Sequence, residues 1–268
     1  MRVRWIAMIG MAMAVALGCA TALAQDAKAT IDTLIRNEED ATAKRGRYMY
    51  LSVEKSDRSG GHTWTERVAE TQWGKLRFLI AEDGKPITGN RLAQEKARLA
   101  RDAADPEAFR RAEEARGDDE QHARQMLGML NKAYFFEGPF VEDDTLRVDF
   151  RPNPAYSPQG LEEKVLHAMS GSVLIDAKTI RLRGLNARVA QDVSFGFGLA
   201  TIKAGSNFST LRMPVGGIDW KSETVHTAMI GRAFFLKTIA RQNDSTHSEF
   251  KKIPNDISVA DAVKLLEE

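Results

Sequence analysis

The chain has 268 residues, of which 38 are basic and 37 acidic, and its formal net charge is +1. This near-neutral balance argues against nucleic-acid binding, which requires a concentrated basic surface. The length suffices for one domain with its own apolar core. The single cysteine, Cys19, lies near the amino terminus, so a chain processed beyond it would have neither a disulfide nor a thiol nucleophile.

The amino terminus has the three parts of a secretory signal. Arg2 and Arg4 precede an apolar stretch over residues 5–17, and the small-residue site Ala22-Leu23-Ala24 follows. These features predict a removable signal peptide over residues 1–24 and a periplasmic or secreted protein. Ala16-Leu17-Gly18-Cys19 resembles a lipobox, so lipidation at Cys19, giving an outer-membrane lipoprotein, is the alternative. No later apolar run is long enough to predict a transmembrane span in the mature chain.

The next residues change from a helical to a strand pattern. From residue 26 to about 44 the apolar residues recur at helical spacing, which predicts one amphipathic helix. Beyond Gly46 apolar and other residues alternate, first around Tyr50 and again around Phe78, as in β-strands. Turn sequences stand at 59–61 and at Asp83-Gly84, so residues 47–88 are predicted to form an antiparallel meander.

Residues 90–133 interrupt the strands. Their alanine, arginine and glutamate content predicts a helical insertion, and Asp105-Pro106 marks the start of a second helix within it. Strand patterns return at Tyr134, and a short helix is predicted over residues 161–169. A second meander is then predicted from six segments, 172–176, 179–190, 192–203, 206–213, 218–228 and 230–242. Residues 257–268 are predicted to form a small C-terminal helix or tail.

Four sequence motifs accompany this order of elements. They are Asp83-Gly84-Lys85-Pro86, Phe150-Arg151-Pro152-Asn153-Pro154 with Tyr156, Asp192-Val193-Ser194-Phe195-Gly196-Phe197-Gly198, and Gly231-Arg232-Ala233-Phe234-Phe235. Through them the chain resembles the LolA-like and LolB-like periplasmic lipoprotein carriers, and more closely an uncharacterised group of secreted bacterial proteins of that kind. The resemblance covers most of residues 25–256, which are predicted to be a single domain.

The resemblance implies an α+β fold with a strongly curved antiparallel sheet. This sheet would be an incomplete barrel of about nine to eleven strands, with the N-terminal helix and the helical insertion packed on or over its concave face. The function that it implies is non-enzymatic binding of a lipid or a lipidated partner in an apolar cavity, in the handling of envelope lipids or lipoproteins. The alternative is an envelope protein-protein interaction module with a solid core and no ligand.

Aromatic residues of the sheet are the candidate ligand contacts. Phe78, Phe195, Phe197, Trp220 and Phe234 lie in strand patterns, several of which are apolar on both faces. Apolar side chains on both faces of such a strand must be shielded from water. A sheet with helices packed on one side and a ligand bound on the other would provide this. Ordinary core packing explains the pattern equally well.

No enzymatic motif accompanies these residues. The sequence has no Gly-x-Ser-x-Gly elbow, His-Glu-x-x-His helix, phosphate-binding loop or Cys-x-x-Cys pair, so neither catalysis nor a cofactor is predicted. Asp118 and His122 stand four residues apart and could share a cation on one helical face. An acidic first turn is, however, favoured by the helix dipole alone, and two ligands do not make a metal site, so none is predicted.

Overall fold

The computed structural model describes residues 26–115, 128–195, 200–233 and 237–268, which form an α+β fold built on one large antiparallel sheet. Helix α1 spans residues 26–44 and helix α4 spans residues 128–133. The other elements are β1 (Arg47–Ser56), β2 (Thr63–Thr71), β3 (Gly74–Glu82), β4 (Lys85–Pro86), α2 (Gly89–Ala104), α3 (Pro106–Ala115), β5 (Tyr134–Glu142), β6 (Thr145–Pro152), α5 (Leu161–His167), β7 (Met169–Asp176), β8 (Leu182–Val189), β9 (Val193–Phe195), β10 (Ala200–Ile202), β11 (Asn207–Gly216), β12 (Asp219–Ala233), β13 (Lys237–Ile253) and α6 (Val259–Glu267).

The sheet consists of thirteen strands in the order β4-β3-β2-β1-β13-β12-β11-β8-β7-β6-β5, while β10 pairs with the end of β12 and β9 pairs with β10. Most neighbours are consecutive in the chain, as in a meander. The exceptions are the pairings of β11 with β8 and of β10 with β12 and, at the centre, the pairing of β1 with β13, which joins the two ends of the domain. Strands β4 and β5 stand at the two ends and do not pair with each other in the described part of the chain, so the sheet is not closed.

Two apolar cores lie on opposite faces of this sheet. Met229 of β12 packs in the first core, and Val225 lies on the same face of that strand. Val225 pairs with Ser245 of β13, and Ser245 pairs in turn with Glu54 of β1. Paired residues of neighbouring strands share a face, so the first core and Glu54 lie on what we call the first face. Met49 packs in the second core and has the opposite parity to Glu54 along β1. The second core therefore lies on the second face.

The first core joins α1 and α4 to strands β5 to β8. Its fully enclosed members include Ile31 of α1, Ala133 of α4 and Val148 of β6. The second core joins β1 to β3 and the end of β13 to helices α2, α3 and α6, through Leu99 of α2 and Phe109 of α3 among others. The C-terminal helix α6 is thus docked and not a free tail. Its first turn is capped by Ser258, whose Oγ accepts a 3.0 Å hydrogen bond from the Asp261 amide.

Several sequence predictions are confirmed, two boundaries are wrong, and the predicted number of about nine to eleven strands is too low, because the described sheet has thirteen. The helix over residues 26–44, the first meander, the helix start at Pro106 and the short helix after Gly160 are all present. The single strand predicted over 192–203 is two strands, β9 and β10, which pair with each other. Two glycines interrupt the predicted strand between them, and glycine weakens strand interiors. The break predicted near residue 229 is absent, because β12 stays paired with β13 through this region. In the described residues, no helix is long and apolar enough to cross a membrane.

Candidate functional site

The border of the first core is the best candidate for an apolar ligand site. Among the described residues, thirteen half-buried hydrophobic side chains pack around its fourteen buried ones, whereas only six surround the eleven of the second core. Val193 of β9, Ile202 of β10 and Met229 of β12 form part of this border, where the β9-β10 pair joins the end of β12. Hydrophobic side chains that are half covered can gain further burial from a ligand.

Helix α1, which covers part of the first core, is tied to the sheet by a buried charge cluster. Glu38 accepts hydrogen bonds from Arg181 Nε at 2.8 Å, from Arg212 Nη1 at 2.9 Å and from the Leu182 amide at 2.9 Å. Arg181 also donates to the Ile218 carbonyl at 2.6 Å. Burial raises the pKa of Glu38, but the hydrogen bonds and charges of the two guanidinium groups outweigh it and lower that pKa. The cluster therefore holds an ionised carboxylate in the interior.

A second charge cluster occupies the first face over β1 and β2. Arg58 donates to both oxygens of Glu54, at 3.0 and 2.6 Å, and to both oxygens of Glu66, at 3.0 and 2.7 Å. Arg77 adds a 3.4 Å contact to Glu66, and the Arg58 guanidinium lies 5.0 Å from the ring centroid of Trp64. Two carboxylates thus face two guanidinium groups. Burial raises the pKa of Glu54, but its bonds to Arg58 and Ser56 lower the net value.

Three polar atoms beside this cluster have no hydrogen-bond partner among the described residues. They are Ser52 Oγ, Trp64 Nε1 and Asn243 Oδ1, and all three are buried. The strand register places them on the first face, because Trp64 pairs with Glu54 and Asn243 pairs with Ser56. Buried polar groups normally bind a protein group or water, so this part of the face has hydrogen-bonding capacity that the described residues leave unused.

A half-buried lysine links distant strands of the same face. Lys221 of β12 donates to the two oxygens of Glu70 of β2, at 2.8 and 2.6 Å, and its Nζ lies 5.1 Å from the Tyr48 ring centroid. The Tyr48 hydroxyl donates to Asp219 at 2.9 Å. Burial lowers the pKa of Lys221 more than Glu70 raises it. Burial, followed by the hydrogen bond to Asp219, raises the pKa of Tyr48 to about 12.

Of the five predicted ligand contacts, the structure describes three, and they lie in different regions. Phe78 is 5% exposed and packs in the second core beside the helices. Trp220 is half-buried at the start of β12, where its carbonyl accepts a hydrogen bond from Arg212. Phe195 ends β9, two residues after Val193 of the first-core border, and only its backbone is described. Phe197 and Phe234 lie outside the described residues, as do Asp118, His122 and the lipidation candidate Cys19.

Titratable side chains do not assemble into a metal cluster in the described ranges, where no three histidine, cysteine, aspartate or glutamate residues converge. The histidines there contact backbone carbonyls or nearby carboxylates instead. His167 and His247 each face a backbone carbonyl at 3.0 Å, and His62 and His226 face the carboxylates of Asp83 and Asp244.

Sequence analysis did not identify either buried charge cluster. Glu38 is separated by more than 140 residues from both of its arginine partners, so no local pattern links them. The buried face of β1 carries polar and aromatic residues, namely Tyr48, Tyr50, Ser52 and Glu54. Their alternation is visible in the sequence, but it does not resemble the apolar pattern of a buried strand face.

Comparisons with known proteins identify no relative: no family model matches the chain, and neither a curated protein nor a solved structure matches it.

Proposed function

We propose that this chain is a non-enzymatic binding protein of the bacterial envelope that holds an acyl chain of a lipid or lipidated partner against the first face of its sheet. The half-covered apolar border around Val193, Ile202 and Met229 is the observation that carries this proposal. Burial of an acyl chain there would stabilise the complex by roughly 0.8 kcal/mol per methylene. The proposal includes export to the periplasm by the leader over residues 1–24.

A sheet that curves towards its first face would enclose such a ligand. The ion pair between Lys221 and Glu70 supports this curvature, because β12 and β2 are separated by two intervening strands. In a flat sheet their backbones would be about 14 Å apart, with side chains roughly perpendicular to the sheet. Bending the sheet towards this face brings the two side-chain ends together. Helix α1, fastened through Glu38, would act as the cover over the bound chain.

A matched pair of variants tests the proposed location. Met229 lies on the apolar border, whereas its neighbour Ile230 has the opposite strand parity and is 46% exposed. We expect Met229→Glu to weaken binding of a fluorescent fatty acid at least tenfold, because a carboxylate would oppose burial of the chain. Ile230→Glu should leave the affinity unchanged. Equal affinities for both variants and the wild type would contradict the proposed site.

The second candidate is an interaction module with a solid interior. The charge cluster of Glu54, Arg58 and Glu66 favours it, because it occupies part of the first face that an acyl carrier would leave apolar. Crosslinking in intact cells, followed by mass spectrometry, distinguishes the two candidates. A specific envelope protein crosslinked to a chain that binds no fatty acid would favour the module.

A further inference from the structure

We propose that the helix-free part of the second face binds an acidic glycan chain that lies across the strands. The feature is a row of polar side chains on five neighbouring strands, from β8 to β1. Asn186 pairs with Ser209, Ser209 with His226, His226 with Asp244, and Asp244 with Lys55. We call these five residues the polar row. Four strand spacings give it a length of about 19 Å.

The polar row lies on the opposite face from the proposed acyl site. Along β1, burial alternates strictly, and Lys55 has the same parity as Met49, which packs in the second core. Helices α2, α3 and α6 contact strands β2 and β3. The row instead extends from β1 towards β8. It can therefore bind a partner independently of any ligand on the first face.

Two depressions open along this row. The larger, of about 540 Å³, is lined by Asn186, Arg188, Asn207 and Ser209 together with apolar and serine residues. The smaller, of about 260 Å³, is lined by residues that include Lys55, His226 and Asp244. The larger volume falls in the range of small-molecule sites. Because members of the row line both depressions, a chain-like ligand could occupy them together.

The chemistry of the row favours a glycan over a protein. Hydroxyl, amide, imidazole and charged groups make up the five side chains, and none is a tyrosine, tryptophan or phenylalanine. The cores of protein-protein interfaces are instead enriched in aromatic residues. Hydroxyl and amide groups spaced by the strands suit a ligand that offers donors and acceptors repeatedly along its length.

The charge of the face favours an acidic glycan over a neutral one. Arg188 is the one charged residue among those lining the larger depression, and its guanidinium group makes no hydrogen bond or ion pair with any described residue. Asp244, the acid of the row, is already engaged by His226 and by Gln242 at 2.7 Å, and these hydrogen bonds lower its pKa. An unneutralised guanidinium pairs well with the carboxylate of an acidic sugar.

The test uses isothermal titration of the full mature chain with a short oligogalacturonate, which carries carboxylates, and a malto-oligosaccharide of equal length, which is neutral. We expect the acidic oligomer to bind, with an affinity that falls as salt is added, and the neutral one to bind at least tenfold more weakly. Arg188→Ala should weaken binding of the acidic oligomer about tenfold or more. Arg188→Lys should recover part of that loss.

Arg91→Ala is the matched control, because Arg91 is also exposed and lies on helix α2, away from the row. It should bind the acidic oligomer as the wild type does. Absence of binding, equal binding of both oligomers, or equal losses in Arg188→Ala and Arg91→Ala would overturn the proposal. Arg188→Ala should bind a fatty acid with unchanged affinity. The glycan titration therefore tests the glycan site, and fatty-acid binding tests the acyl site separately.

Discussion

Replacing Glu38 by glutamine should loosen helix α1 from the sheet. The substitution keeps the shape of the side chain but removes the charge that balances Arg181 and Arg212, whose side chains are 9% and 17% exposed. Breaking a buried ion pair by removing one partner typically costs about 3 to 5 kcal/mol. Glutamine retains one acceptor oxygen for the Leu182 amide, so we expect about 3 kcal/mol of lost unfolding free energy, at the lower end of that range.

Urea unfolding of the mature chain, followed by circular dichroism, measures this loss. The neighbouring residue Glu39 is exposed and provides the control, because Glu39→Gln should change the unfolding free energy by less than about 0.5 kcal/mol. The folded-state pKa of Glu38 is below its ordinary value of 4.5. Its contribution is therefore present above about pH 4.5 and is lost as the pH falls through the lower, folded-state pKa. Equal losses in the two variants, or an unchanged acid sensitivity in Glu38→Gln, would refute the reasoning.

Three further predictions concern other parts of the chain. Phe109→Ala should cost about 3 to 5 kcal/mol of unfolding free energy because Phe109 fills the second core, whereas Phe135→Ala, at a 42% exposed position, should cost much less; urea titrations compare the two. Burial lowers the pKa of His247 in the folded state, so below about pH 6.5 the unfolded chain takes up a proton more readily than the folded chain. The free energy of unfolding should therefore fall as the pH drops below about 6.5, and His247→Gln should show a smaller fall over that range. Intact-mass analysis of the exported protein should give a chain beginning at Gln25, whereas a mass for a lipidated chain beginning at Cys19 would establish the alternative processing.

Local patterns in the sequence predict the elements better than they predict the faces. The helical spacing of Ala27, Ile31 and Leu34 predicts α1, and these three residues are indeed buried. In β1, by contrast, the apolar residue Val53 is 37% exposed while Ser52 is fully buried. The long-range pairing of β1 with β13 and β2 determines which face is enclosed, and a strand's own alternation does not contain that information.

Long-range contacts explain why the candidate sites were only partly predictable. The residues of the polar row come from five strands spread between Lys55 and Asp244, and only the register brings them into line. Phe78 was predicted to contact a ligand, but the structure places it in the second core. The sequence around an aromatic residue in a strand does not distinguish a core residue from a ligand contact.

Native mass spectrometry of the protein, purified gently from its own envelope, tests the proposed acyl binding most directly. We expect the wild type and Ile230→Glu to carry a lipid-sized adduct that organic extraction removes, and Met229→Glu to lack it. A clean apo mass for the wild type would contradict the proposal, as would an adduct that Met229→Glu retains.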